Sequence, residues 1–276
     1  MIAFGGIVSS AAQAGTYYRC SAEKKGEFTE AGCATKARKP HKGTFELVQV
    51  QACVAQKDGE YVNNTCTQKA GKPKKGKFEL TTGRHFTDTT GKATLTVPAF
   101  GPNKVECSAG SSAGLITGPK TDVDRITFTG CQLEAKKCMS VGPNGTPSGI
   151  EGVITTNLLA SELVDHGELG GGSLELEPAA GEAWEEFSSA EHQPYVAEFV
   201  CGGEILARVS GVVSGVVAPV NALAMTATRS FAVGLAEQAL LTEAFNGVEF
   251  VPPGGAPSSL ETTATITYEV PIEVKT

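Results

Sequence analysis

The sequence predicts an all-β chain: two small disulfide-stapled β-hairpin repeats followed by a larger β-sandwich or irregular barrel. Three observations carry this expectation. Cysteines and turn glycines recur at one period in the first third of the chain. Apolar and polar residues alternate along short segments further on, as in Ala93-Thr94-Leu95-Thr96-Val97 and Arg125-Ile126-Thr127-Phe128-Thr129. The 33 glycines, together with many Thr, Val and Ser, suit short strands and tight turns rather than a helical bundle.

The repeat fixes the first domain. Twelve residues separate Cys20 from Cys33, and twelve separate Cys53 from Cys66. Gly26-Glu27-Phe28 follows Cys20 as Gly59-Glu60-Tyr61 follows Cys53, and Gly43-Thr44-Phe45-Glu46-Leu47 matches Gly76-Lys77-Phe78-Glu79-Leu80. Every landmark is displaced by 33 residues. In the first unit a strand around Cys20 is expected to turn at Lys24-Lys25-Gly26 and return through Glu27-Phe28-Thr29. In the second, Asp58-Gly59 is the hairpin dipeptide. Units this small have little core, so bridges Cys20–Cys33 and Cys53–Cys66 are expected, each contributing ~2–4 kcal/mol. Phe28, Phe45, Tyr61 and Phe78 are the expected buried residues.

Eight cysteines, an even number with no C-x-x-C pair, favour structural disulfides in an oxidising compartment over zinc or thioredoxin-like chemistry. Beyond the repeats, Cys131 and Cys138 flank Glu134-Ala135-Lys136-Lys137 and are expected to bridge a β-turn, which leaves Cys107 with Cys201. The alternative pairs Cys107 with Cys131. Residues 1–14 are apolar and small, ending in the cleavage-like Ala12-Gln13-Ala14, and are expected to be a signal-peptide remnant. The division is therefore 1–14, then 15–83 for the repeats, then 84–276 for the β-rich domain. No run of 18 apolar residues predicts a helical membrane span.

Charge divides the same way. Residues 1–90 carry 14 Lys and Arg against 8 Asp and Glu, a net of +6, and residues 91–276 carry 9 against 22, a net of −13. Both repeats hold a basic loop after the second cysteine: Lys36, Arg38, Lys39, His41 and Lys42 in one, Lys69, Lys72, Lys74, Lys75 and Lys77 in the other. Pro40 and Pro73 exclude a helix interior there. Such loops fit anionic polymers, glycans or protein at a cell surface. Nucleic acid is not expected, because no aromatic residue interleaves with the lysines.

In the larger part, further strands are expected at Lys104 to Cys107, Gly152 to Thr156, Ser173 to Glu177, Tyr195 to Cys201, Ile205 to Val217 and Thr263 to Val274. A helix is expected from Leu235 to Phe245, ended by Asn246-Gly247. Gly110-Ser111-Ser112-Ala113-Gly114 matches a nucleophile-elbow pattern, but no helix can follow it through Gly118-Pro119, so it reads as a turn. The histidines lack metal spacing. Asp122 and Asp124 share a face if extended, yet supply too few oxygens for calcium. Glu182, Glu185 and Glu186 surround Trp184, the only tryptophan, which fits either a core anchor or a sugar-stacking platform. No cofactor or metal is expected.

The segments Leu115-Ile116-Thr117-Gly118-Pro119-Lys120, Phe128-Thr129-Gly130-Cys131, Cys138 to Gly142, Ile154-Thr155-Thr156-Asn157-Leu158 and Phe199-Val200-Cys201 occur here in this order. Over residues 104–220 the chain resembles a group of uncharacterised secreted β-rich proteins of soil actinobacteria. That resemblance implies export and a β-rich fold, and no activity.

Taken together, the residues predict a secreted or cell-surface non-catalytic interaction module. Its expected contacts are Lys36, Arg38, Lys39, Lys42, Lys69, Lys72, Lys74, Lys75 and Trp184. A structural subunit of a surface layer or filament is the alternative, and a secreted hydrolase using Ser112 or a glutamate pair the weaker one.

Overall fold

The computed structural model describes residues 16–30, 33, 35–39, 42–49, 52–62, 68–72, 75–81, 84–98, 104–118, 120–141, 149–164, 182–190, 194–232, 238–245 and 248–276. The expected signal-peptide remnant and the strand expected at Ser173 to Glu177 lie outside them. All regular elements among the described residues are strands. They are β1 (Thr16–Gly26), β2 (Gly43–Gln49), β3 (Ala52–Gly59), β4 (Gly76–Thr81), β5 (Arg84–Thr90), β6 (Ala93–Thr96) and β7 (Lys104–Cys107). There follow β8 (Ala109–Ile116), β9 (Thr121–Thr129), β10 (Gln132–Leu133), β11 (Lys136–Ser140), β12 (Val153–Thr155) and β13 (Leu159–Val164). The last are β14 (Ala183–Ser189), β15 (Ala197–Cys201), β16 (Ile205–Ala218), β17 (Ala224–Phe231), β18 (Ala239–Phe245) and β19 (Phe250–Lys275). The chain is all-β.

The two N-terminal hairpins share one register. In β1–β2, Cys20 faces Leu47, Ala22 faces Phe45 and Gly26 faces Gly43. In β3–β4, Cys53 faces Leu80, Ala55 faces Phe78 and Gly59 faces Gly76, each pair displaced by 33 residues. Beyond each hairpin the backbone folds back in the same way: Ala37 N–H donates to Glu27 C=O at 2.8 Å, and Ala70 N–H to Glu60 C=O at 2.7 Å. The tight return expected at Glu27-Phe28-Thr29 is replaced by a wider one. β1 pairs with β2 instead, and Phe28 bridges to Lys36 and Phe45. Glycine is required at this crossing. A Cβ on Gly43 would sit 2.1 Å from the Phe28 carbonyl oxygen, and one on Gly76 would sit 2.3 Å from that of Tyr61. Phe28, Phe45 and Tyr61 are half-buried rather than core, since a single hairpin has little to cover them with. The side chain of Phe78 lies outside the described residues.

Beyond residue 84 the pairings close on themselves twice. One ring runs β5–β8–β9–β13–β14–β16–β17–β19 and back to β5, all antiparallel. A second runs β6–β7–β10–β11–β15–β16–β18–β19 and back to β6. The long strands β16 and β19 belong to both. One apolar cluster, around Phe86, Ile116, Ile266 and Tyr268, lies within the first ring, and the other, around Phe128, Leu159, Phe199 and Phe231, draws on strands of both rings. β1 pairs with the end of β19, from Thr16↔Lys275 to Arg19↔Ile272, so the first hairpin is joined to the sheet of the segment 84–276. β3 and β4 form a separate two-stranded sheet.

Period-two burial explains most strands. Phe86 and Asp88 of β5 point in while His85, Thr87 and Thr89 point out, and Ala264, Ile266 and Tyr268 of β19 alternate with exposed Thr263, Thr265 and Thr267. The helix expected from Leu235 is overturned over Ala239–Phe245. β18 lies between β16 and β19 and pairs with both, burying Leu240 and Thr242, so tertiary pairing overrides a weak helical pattern. Gly110–Gly114 is likewise the middle of strand β8, not a turn. Its glycines make room for rings from neighbouring strands. A Cβ on Gly114 would lie 2.2 Å from Phe86 Cζ. Gly114→Ala is therefore expected to cost roughly 1–3 kcal/mol by overpacking, read as a lower urea midpoint with an unchanged slope.

Cys20–Cys33 is bridged as expected. Cys66 lies outside the described residues, so Cys53–Cys66 does too. The other expected pairs, Cys131–Cys138 and Cys107–Cys201, are corrected to Cys107–Cys131 and Cys138–Cys201. The reason is ladder geometry. Cys107 on β7, Cys131 in the residue preceding β10, Cys138 on β11 and Cys201 on β15 form one row. The middle two are spanned by a backbone hydrogen bond, Cys138 N–H to Cys131 C=O at 2.9 Å, which makes theirs the wider kind of pair. The outer neighbours approach to 3.9 Å between Cα atoms, and those are bridged.

Candidate functional site

The densest polar constellation lies inside the first ring, and nearly every strand contributes to it. β5 supplies Asp88, β8 Ser112, β9 Asp122 and Asp124, β13 Ser161, β14 Glu185 and β17 Arg229. Tyr17 enters from β1. The charged members are only 0–3% exposed. Arg229 is the hub. Its Nε donates to Glu185 Oε2 at 2.7 Å, its Nη2 to Glu185 Oε1 at 3.1 Å, and its Nη1 to Asp88 Oδ2 at 2.7 Å. Asp122 and Asp124 each bring Oδ2 within 3.6 Å of the guanidinium. The planar group also stacks on Phe187, 4.5 Å from the ring centre, with Phe86 at 5.7 Å on another side. Ser161 donates to Glu185 at 2.8 Å, and Ser112 to Asp124 at 3.4 Å. The Tyr17 hydroxyl lies 3.1 Å from both Asp122 Oδ2 and Glu185 Oε1.

Four carboxylates around one guanidinium cannot all be charged at this depth, because isolated buried charge is expensive. The groups divide accordingly. Burial pushes Asp124 up to about 7, against the pull of Arg229. Burial also raises Asp88, and it raises Asp122 strongly, helped by the neighbouring Glu185 charge. Glu185 goes the other way. Burial opposes its ionisation, but Arg229 and hydrogen bonds from Asp122, Arg229 and Ser161 outweigh it and hold its pKa down. Glu185 and Arg229 are thus the ion pair, and the neighbouring Asp122 is the carboxyl that burial and the Glu185 charge push toward its neutral form. The Oδ1 atoms of Asp88, Asp122 and Asp124 are buried with no hydrogen-bond partner among the described residues, as suits carboxyls that are not fully ionised.

This cluster absorbs three features picked out in the sequence. Asp122 and Asp124 do share a face, but Arg229 holds the place between them that a cation would take. Among the described residues no group of His, Cys, Asp or Glu has a metal-binding arrangement. Ser112 is buried against Asp124 with no histidine in the cluster. Glu185 is an interior ion-pair partner, whereas Glu186 lies on the opposite face of β14. Trp184 is buried at 3% exposure on the face of β14 opposite Glu185, so it presents no open platform on which a sugar could stack. His85 is exposed on β5, and His41, His166 and His192 lie outside the described residues.

The basic loops stand apart from the cluster. Lys36, Arg38, Lys39 and Lys42 are exposed between β1 and β2, and Lys69, Lys72 and Lys75 are exposed between β3 and β4. Lys74 lies outside the described residues. The loops belong to separate sheets. Lys36 and Lys69 occupy the same position, bridging Phe28 and Tyr61. Lys69 reaches Glu60 at 3.5 Å, an exposed pair that leaves its charge in solvent.

Neither Arg229 nor Tyr17 is singled out from the sequence. Arg229 sits in Thr226-Ala227-Thr228-Arg229-Ser230, which reads as a solvated edge, and its partner Asp88 is 141 residues away. The periodicity that buries Ala227 and Phe231 on the same face was the available signal. No protein-family model matches the chain, and neither does a curated protein or a solved structure.

Proposed function

We propose that the chain is an exported, non-catalytic interaction module that contacts anionic polymers or glycans at a cell surface through its two basic hairpin loops. One observation carries this reading: both hairpins present exposed cationic side chains at the same position of a shared register. The dense charged cluster, by contrast, is sealed and neutralises itself. We read the hairpins as two copies of one 33-residue unit, and the rings as two fused barrels. The disulfides support an oxidising destination, and the resemblance over residues 104–220 agrees with export.

Binding of this kind is salt-sensitive, because it exchanges counterions for protein cations. The test is retention on immobilised heparin and on polyphosphate across a salt gradient. A variant with Lys36, Arg38, Lys39, Lys42, Lys69, Lys72 and Lys75 changed to Gln is expected to elute from both at much lower salt, with an unchanged thermal midpoint. Equal retention of the variant and the unmodified protein on both matrices would sink the reading.

A further inference from the structure

We infer that the apolar space inside the second ring and where it adjoins the first is a binding site for one small uncharged apolar molecule, a single hydrocarbon ring or a short alkyl chain. Eight strands enclose a space that side chains can just fill, or that can hold one small ligand. The two rings differ in how completely they are filled. The first is filled by Arg229, Tyr17, Phe86 and Tyr268, all buried. In the second, the wall carries alanine or valine at Ala93, Ala197, Val209 and Val213, and a cavity of about 90 Å³ remains between these and Phe128, Leu159, Phe187 and Phe231 of the adjoining first-ring strands. A neighbouring cavity of about 170 Å³ lies behind Leu95, Val105 and Phe199, and reaches Ala207 and Ala244.

The chemistry of the wall selects the ligand. Thr156 is the polar residue lining the smaller cavity, and its hydroxyl oxygen already accepts from Ile126 N–H at 3.0 Å. Thr242 in the larger one already donates to Ser258 at 2.9 Å. A charged or strongly polar guest would lose its hydration with nothing in return. Water is disfavoured for the same reason, since a buried water needs two or more polar partners. Apart from Thr156 and Thr242, an apolar guest meets aliphatic and aromatic groups and the buried disulfides. Cavities of comparable size, on the order of 150 Å³ and lined by such groups, stay dry and take up benzene or xenon.

The space is also prevented from collapsing. An apolar void costs least when its walls can relax into it. Here the ladder closes on itself, and the Cys107–Cys131 and Cys138–Cys201 bridges tie four neighbouring strands of that ring together. The void persists because the wall is braced.

The test uses the full, disulfide-intact chain titrated with toluene and with n-hexane, followed by methyl-resolved NMR. Methyls of Val209, Val213 and Leu240 in the second ring are expected to shift in a saturable way with at least one of the two. Those of Leu163 and Ile266 in the first ring are expected to stay in place. Ala197→Leu fills the smaller cavity and is expected to weaken binding at least tenfold while leaving the thermal midpoint equal or higher. Ala93→Val serves as the second variant if Ala197→Leu does not fold, with a weakening of at least threefold. The inference is overturned if neither probe shifts the second-ring methyls at saturation in water, or if the folded variants keep the original affinity.

Discussion

Replacing Arg229 with methionine is expected to lower the free energy of unfolding by roughly 3–5 kcal/mol at pH 7.5, because it removes one partner of a buried ion pair and leaves the other behind. Glu185 then has no counter-charge, and Asp88 loses its 2.7 Å donor. The loss reaches beyond electrostatics. The guanidinium stacks on Phe187, so its removal opens space in the middle of the ring. Denaturation by urea measures it, through a shifted midpoint. Pairing Arg229→Met with Glu185→Gln is expected to recover a large part of the loss, since the stranded charge is gone. A single variant within 1 kcal/mol of the unmodified protein would show that Arg229 does not hold the cluster together.

Stability is expected to increase as pH is lowered from about 8 to about 5, opposite to the usual loss on acidification. The sign follows from the aspartates. Asp124 titrates near 7 when folded, against an ordinary value of 3.8, so between those limits the folded state holds a proton that the unfolded chain has released. Its stabilisation is complete below about pH 4 and is lost as pH rises through 7. Each pKa unit corresponds to about 1.4 kcal/mol, which gives Asp124 a ceiling on the order of 4 kcal/mol. Asp88 and Asp122 shift in the same direction and add to the trend. Glu185 opposes it at the acid end. Its folded pKa is depressed, so its contribution is present above its unfolded value and disappears as pH falls through the folded one. The optimum is therefore expected near pH 4–5. Thermal midpoints at pH 4.5, 6 and 7.5 measure the trend, and Asp124→Asn is expected to flatten it. A midpoint that climbs steadily from pH 5 to pH 8 would refute the assignment of protons to the aspartates.

The fold was legible where the cause was local. The alternation at Ala93–Val97 and Arg125–Thr129 marks real strands, and the 33-residue spacing reappears in the register of both hairpins. What escaped was set by partners distant in the chain. The Cys131–Cys138 expectation followed sequence proximity, but the row of four cysteines exists only once β15 lies beside β11. The helix expected at Leu235 to Phe245 failed because β16 and β19 claim the segment. At the site, the sequence singled out Asp122, Asp124 and Glu185 but offered them calcium or sugar. The arginine that explains them arrives on β17, and among threonines its one mark of burial is the period it shares with Ala227 and Phe231.

Both rings close on β19, which follows every other ring strand in the chain. Thr90 must find Ala264, and Thr96 must find Ser259, before either ring is complete. A chain emerging in order from a ribosome or a membrane pore can therefore build hairpins early, but it cannot finish either ring until β19 is free. Until then both interiors stand open to solvent, and the nascent chain stays loose enough to be threaded. Completion is late and shared, so the two rings are expected to lock in a single step, seeded by pairings among the most widely separated in the chain.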